Sequence, residues 1–245
     1  MIEICHDLVQ WERVGDNKTI AILRLNHPQR ANAYHTDMLH LLEQKLRTIT
    51  EGACIRALII TGTGQRTFCA GADKDELKGR RVLDGLNLKS REVFDLLARL
   101  PIPTIAAMNG SAVGGGLELA LACDIRLSTP SAKFSLPELT LSLTPAAGGM
   151  IRLPNIIGKN RAKEMILFGR ELDAATALEW GLVSYVCHNV EEKAFALAMS
   201  AAAQDPLAMC LAKKVMNSDP CSTQNDLSSV VQALLYEQKY QKDEQ

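Results

Sequence analysis

The chain lacks most of the features that announce a function cheaply. It has no C-x-x-C pair, and its seven cysteines (Cys5, Cys54, Cys69, Cys123, Cys187, Cys210 and Cys221) are odd in number and scattered, mostly beside apolar residues. That pattern argues against a zinc ribbon or a thioredoxin-like motif and for small buried hydrophobes in a reducing compartment. The histidines (His6, His27, His35, His40 and His188) are dispersed, and no His/Cys/Asp group has ligand spacing, so neither a metal nor a redox cofactor is expected. An excess of one charge is missing too. Twenty-seven basic residues face 28 acidic ones for a net charge of -1, which gives nucleic acid or an anionic membrane no electrostatic hold. No apolar run reaches membrane-spanning length. The start "MIEICHDLVQWERV" has no basic n-region or long apolar h-region, and "KDEQ" is not an ER or peroxisomal address. The expectation is a cytoplasmic protein without a membrane or nucleic-acid partner.

What is present is an ordinary globular composition, 47% hydrophobic and 22% charged over 245 residues, enough for a sizeable core. The runs Thr19 to Asn26, Ile55 to Gly62, Pro103 to Gly110 and Asp124 to Thr129 read as strands, the middle two covered on both faces. Met38, Leu42, Leu46 and Ile49 step at helical spacing, as do Val93, Leu96, Leu97 and Leu100. After residue 160 the pattern is nearly all helical, with Gly169 and Gly181 at helix stops. The chain therefore divides into an α/β portion, 1–186, and a helical portion, 187–245. Neither a low-complexity linker nor a repeat of clear period is visible. The polar stretch Lys74 to Arg91 reads as a surface loop or frayed helix of the kind that borders sites.

Three stretches carry chemistry. In "NGSAVGGGLELALACDI" (Asn109 to Ile125), Gly114, Gly115 and Gly116 open a helix, and the carboxylate of Glu118 sits in an otherwise apolar run. Glycines there serve either tight strand–helix packing or an anion cradle at a helix N-terminus. Neither the P-loop nor the Rossmann spacing is met. In "FCAGADKDEL" (Phe68 to Leu77), small residues follow a buried strand. In "AKFSLPELTLSLTPAAGGMIRLP" (Ala132 to Pro154), Glu138 is a second carboxylate in apolar surroundings, which alone reads as a loop acid or helix cap.

Together with "HPQRANAY" (His27 to Tyr34) and "ATALEWGLVSYV", these stretches resemble in order and spacing the signature of the crotonase, or enoyl-CoA hydratase/isomerase, family, and most closely its hydratases. The resemblance covers nearly the whole chain. It implies a spiral of ββα units over 1–186 that holds a coenzyme A thioester site, then a helical C-terminal oligomerisation region over 187–245 building a homotrimer or homohexamer. It implies an oxyanion hole from the backbone N–H groups of Ala72 and Gly115. Glu118 would activate the attacking water and Glu138 would protonate the α carbon. It places Gln29, Arg30 and Ala31 at the adenine end, and Ala70, Ala72, Asp73 and Lys74 near the pantetheine, with Gly114 also at the substrate. Lys78, Arg80 and Arg81 would lie toward the phosphates. Coenzyme A belongs to the substrate, so no separate cofactor is implied. The expected reaction is hydration of a 2-enoyl-CoA to the 3-hydroxyacyl-CoA, a lyase step of fatty acid metabolism. The alternatives are a Δ3,Δ2-enoyl-CoA isomerase or another enolate-stabilising member of the family, and more remotely an RNA-binding protein on the same fold. Ser135, Ser142 and Ala146 stand where the family often has glycine, and Thr144 where it often has an apolar residue. The C-terminal segment, with Tyr236 and Tyr240, departs from the family's usual ending.

Overall fold

Two sheets organise the computed structural model, which describes residues 8–51, 54–217 and 229–235. In chain order the strands are β1 (Val9–Val14), β2 (Ile20–Leu25), β3 (Ala57–Gly62), β4 (Thr67–Cys69), β5 (Thr104–Met108), β6 (Ser111–Val113), β7 (Ile125–Ser128), β8 (Lys133–Ser135), β9 (Leu172–Asp173) and β10 (Tyr185–Val186). The larger sheet runs β1-β2-β3-β5-β7-β10, parallel except for the β1/β2 pair. The smaller runs β4-β6-β8-β9, with β9 antiparallel at its edge. Successive strands alternate between the sheets: β3 leads to β4, β5 to β6 and β7 to β8. That alternation is the spiral of ββα units. Its units begin at Ala57, Thr104 and Ile125, so their spacing is uneven and leaves no period in the sequence.

The helices are α1 (Thr36–Thr50), α2 (Lys74–Gly79), α3 (Val82–Leu86), α4 (Lys89–Ala98), α5 (Gly115–Leu121), α6 (Gly149–Ile157), α7 (Lys159–Leu167), α8 (Ala174–Glu179), α9 (Val190–Ala202) and α10 (Pro206–Met216). As expected, β3 and β5 are buried throughout, and alternation splits their side chains between two cores. Leu58, Ile60, Ala106 and Met108 face the main core with Met38, Leu42 and Leu46 of α1 and Val93, Phe94 and Leu97 of α4. Ala57, Ile59, Ile105 and Ala107 face a smaller core closed by Val190, Ala194 and Ala198 of α9. Burying side chains of this size is worth ~1.5–3 kcal/mol each.

Several sequence expectations need correction. Of the two forms expected for Lys74 to Arg91, the helical one is found: it forms α2 and α3 and enters α4, with Asp73 capping α2 through Asp75 N–H at 2.8 Å. Apolar residues of α3 nevertheless stay exposed, Val82 at 79% and Leu86 at 74%. The boundary after residue 186 separates β10 from α9, yet α9 seals the sheet and belongs to the core by packing. Two short strands, β9 and β10, interrupt the helical run after residue 160. Of the described cysteines, Cys69 and Cys123 are buried, Cys187 and Cys210 are half-buried and Cys54 is exposed; Cys5 and Cys221 lie outside the described residues. Tyr236 and Tyr240 lie outside them too. Among the described residues no single helix is long and apolar enough to cross a membrane.

Candidate active site

The spiral brings two post-strand turns face to face. After β4 the chain passes through Ala70, Gly71 and Ala72; after β6 it passes through Gly114 into α5. Both turns need glycine: Gly71 takes φ +91° and Gly114 takes φ +55°, left-handed values that L side chains resist. A methyl group on Gly71 would lie 3.1 Å from the Gly115 nitrogen, and one on Gly116 would lie 2.0 Å from the Cys69 carbonyl oxygen. The glycines are thus sites of backbone approach.

The hydrogen-bond pattern then aims two donors. Tyr34 N–H donates to Gly71 O and Asp73 N–H donates to Tyr34 O, each at 2.8 Å, as a single parallel bridge. In such a bridge the central residue, Ala72, turns its own N–H away from Tyr34. Gly115 is the first residue of α5, where N–H groups have no helical partner. Among the described residues, neither the Ala72 nor the Gly115 N–H donates to another group of the protein.

Glu118 lies one turn into α5, 3% exposed. Its Oε1 accepts the Gly149 N–H at 2.8 Å, and a backbone bond from Ala147 adds to this, so the carboxyl meets the first turn of α6. Burial nevertheless pushes its pKa up to about 7, with the charge of Glu138 adding to the rise and the Arg152 guanidinium opposing it. Arg152 is itself held by Asp95 of α4 at 2.5 Å and donates to Ala147 O at 3.1 Å, which pins the Pro145–Gly149 loop.

Glu138 opens a 3₁₀ turn, Glu138–Leu141, behind Pro137. Its Oε1 would lie 3.0 Å from a methyl group on Gly114, one residue before the Gly115 N–H. Its Oε2 is buried without a hydrogen-bond partner among the described residues, and burial raises its pKa. A buried carboxylate oxygen without a partner is costly unless something else comes to it. Glu118 is thus bonded to backbone, whereas Glu138 Oε2 has no partner among the described residues.

Of the other expected residues, Ala70 N–H donates to Ala31 O at 3.1 Å, so the turn of Gln29, Arg30 and Ala31 abuts the cradle. Arg30 and Lys78 both reach Asp75, at 3.2 and 3.0 Å, and Arg80 lies 3.9 Å from Glu76. These cations are already engaged with acids. Asp73 is buried and spends its carboxylate on capping α2, while Lys74 is exposed. Ser142 takes φ +56°, where glycine would be unstrained. Sequence reasoning missed Tyr34, Gly149 and Arg152 as parts of the site. The small-residue turn "PAAGG" was the available signal for Gly149.

Comparison with known proteins shows the family. The enoyl-CoA hydratase/isomerase family model matches residues 15–245. YngF of Bacillus subtilis (strain 168), which carries the enoyl-CoA hydratase/isomerase name, is 46% identical over 206 residues, covering 82% of this chain and 79% of its own. The mitochondrial methylglutaconyl-CoA hydratase of Mus musculus is 39% identical over 213 residues, covering 82% of this chain and 67% of its own. The crystal structure of the enoyl-CoA hydratase from Bacillus anthracis superposes with a TM-score of 0.87 at 36% identity, over 92% of this chain and 90% of that one. Alternating sheets, facing glycine turns and a family match over nearly the full length lead to one conclusion: the chain belongs to the crotonase, or enoyl-CoA hydratase/isomerase, family.

Proposed function

We propose that the protein is a lyase that adds water across the double bond of a 2-enoyl-CoA thioester. The observation that carries this reading is the pair of raised carboxyls, Glu118 and Glu138, beside two backbone N–H groups with no acceptor among the described residues. The N–H groups of Ala72 and Gly115 grip the thioester oxygen and stabilise the enolate that forms when the β carbon is attacked; such preorganised donors are worth ~10²–10³ in rate each. Ionised Glu118 takes a proton from water as its oxygen bonds the β carbon. Glu138 delivers a proton to the α carbon, and the enolate collapses to the 3-hydroxyacyl thioester. Solvent exchange then resets the two carboxyls. A pKa of about 7 suits Glu118 to this base role near neutral pH.

The substrate supplies the coenzyme A, and the chain's own groups account for every proton, so we propose no further cofactor. We also propose a homotrimer or homohexamer working in the cytoplasm. An isomerase moves one proton and needs one carboxylate, so the presence of both favours hydration. Balanced charge supports no nucleic-acid role. The test is a panel of acyl-CoA thioesters followed by loss of enoyl-thioester absorbance, with products weighed by mass spectrometry. Products heavier by one water are expected. Products of unchanged mass with a migrated double bond would replace hydration by isomerisation.

A further inference from the structure

One buried phenol near the site is unused by the reaction. Tyr34 is 3% exposed. Its ring packs edge-on against Phe94 at 5.7 Å, and its hydroxyl interacts with the side chain of Ser90, which is buried on α4. A methyl group on Gly115 would lie 2.0 Å from that hydroxyl oxygen, so the tip of the ring occupies the space beside the Gly115 backbone. The same residue's main chain makes both bonds that turn Ala72 outward, to Gly71 O and from Asp73 N–H. Tyr34 therefore borders both turns, bonding through its backbone on either side of Ala72 and placing its hydroxyl against the Gly115 backbone.

A hydroxyl buried here must find a partner or cost stability, whereas Phe or Leu would fill similar space without that demand. The buried Ser90 side chain is the polar group placed to meet that demand. We infer that Tyr34 is a positioning residue that sets the spacing and angle of the Ala72 and Gly115 N–H groups, with its hydroxyl, tethered by Ser90, holding the Gly115 side. This rests on the reading that those two groups receive the thioester oxygen. Burial and the nearby Glu118 charge raise the phenol's pKa, so it stays protonated and acts by contact rather than by titration.

The probe is acetoacetyl-CoA, whose enolate absorbs in the near-ultraviolet and reports oxyanion stabilisation without any hydration step. Tyr34→Phe keeps ring and backbone; Ser90→Ala releases only the tether. In Tyr34→Phe the enolate fraction of bound probe should fall, and kcat should drop about ten- to a hundredfold with KM within about twofold. Ser90→Ala should shift both readings in the same direction, and the double variant should be no worse than Tyr34→Phe alone, since both act through one contact. Wild-type enolate absorbance and kcat in Tyr34→Phe would overturn the inference, as would fully multiplicative effects in the double variant. A wild type that polarises the probe yet hydrates nothing would remove the hydratase reading, and the enolate signal would still decide the role of Tyr34. A wild type that forms no enolate would overturn both.

Discussion

Glu118 Oε1 accepts the Gly149 N–H at 2.8 Å, and this bond does not offset the cost of burying the carboxylate. The folded protein therefore holds the Glu118 proton up to about pH 7, against 4.5 for an unperturbed glutamate. At this position the ionised carboxylate costs stability.

That imbalance predicts a stability that depends on pH. Below the unfolded value both states are protonated and the group contributes nothing. Between the two values the folded state keeps a proton that the unfolded chain has released, so stability falls as pH rises. Above about 7 the whole penalty is present, on the order of 3 kcal/mol. Glu118→Gln keeps an acceptor for Gly149 and removes the penalty. Its melting temperature should exceed wild type by several degrees at alkaline pH, and the two should converge near the unfolded pKa. Parallel melting curves at every pH would contradict this.

The same group predicts a rate profile. In the proposed hydration Glu118 must be ionised to take a proton from water, so kcat/KM should fall about tenfold per pH unit below about 7. Residual activity of Glu118→Gln should lose that limb. A limb unchanged in the variant would assign it to another group.

The glycines separate stability from rate. A methyl group on Gly116 meets a backbone carbonyl, which cannot move aside, so Gly116→Ala should cost about 3 kcal/mol or more. A methyl group on Gly115 meets the hydroxyl end of the packed Tyr34 side chain, which yields at a cost but more readily than a backbone carbonyl, and the Gly115 N–H shifts with it. Gly115→Ala should melt closer to wild type and lose about 10²-fold or more in kcat. Thermal melts and initial rates on both variants check the crossed ranking.

The C-terminal region makes a prediction about assembly. Because α9 closes the second core, a cut before it would expose the sheet rather than test association. α10 is tied separately, with Lys213 Nζ donating to Asp124 at 2.7 Å and to Ile102 O at 2.8 Å. A chain ending after Ala203 should stay folded by circular dichroism and lose its oligomer by light scattering. An unchanged oligomer would move the interface elsewhere.

The strands and principal helices were legible because their apolar residues repeat at periods that local geometry imposes, as in β3 and α1. The two carboxylates were legible because Glu118 and Glu138 interrupt apolar runs. The ββα repeat was not, because the first unit carries α2, α3 and α4 as an insertion between β4 and β5. Nor was the packing of α9, since an apolar helix face looks alike whether a sheet or a second subunit covers it. Tyr34 was hidden for a different reason. The role inferred for it depends on Gly115 and Ser90, far along the chain, which only the fold brings to the phenol.

The central claim is that two carboxylates share one hydration, and separate assays of hydration and double-bond migration in Glu118→Gln and Glu138→Gln test it most directly. Each variant should lose ~10²–10⁴ in turnover of a short 2-enoyl-CoA with little change in its binding, because the proposed oxyanion donors are backbone groups. The double variant should be far less than multiplicatively worse. Near-normal hydration in Glu118→Gln, with only Glu138→Gln impaired, would contradict the account and point to a one-carboxylate proton shuttle.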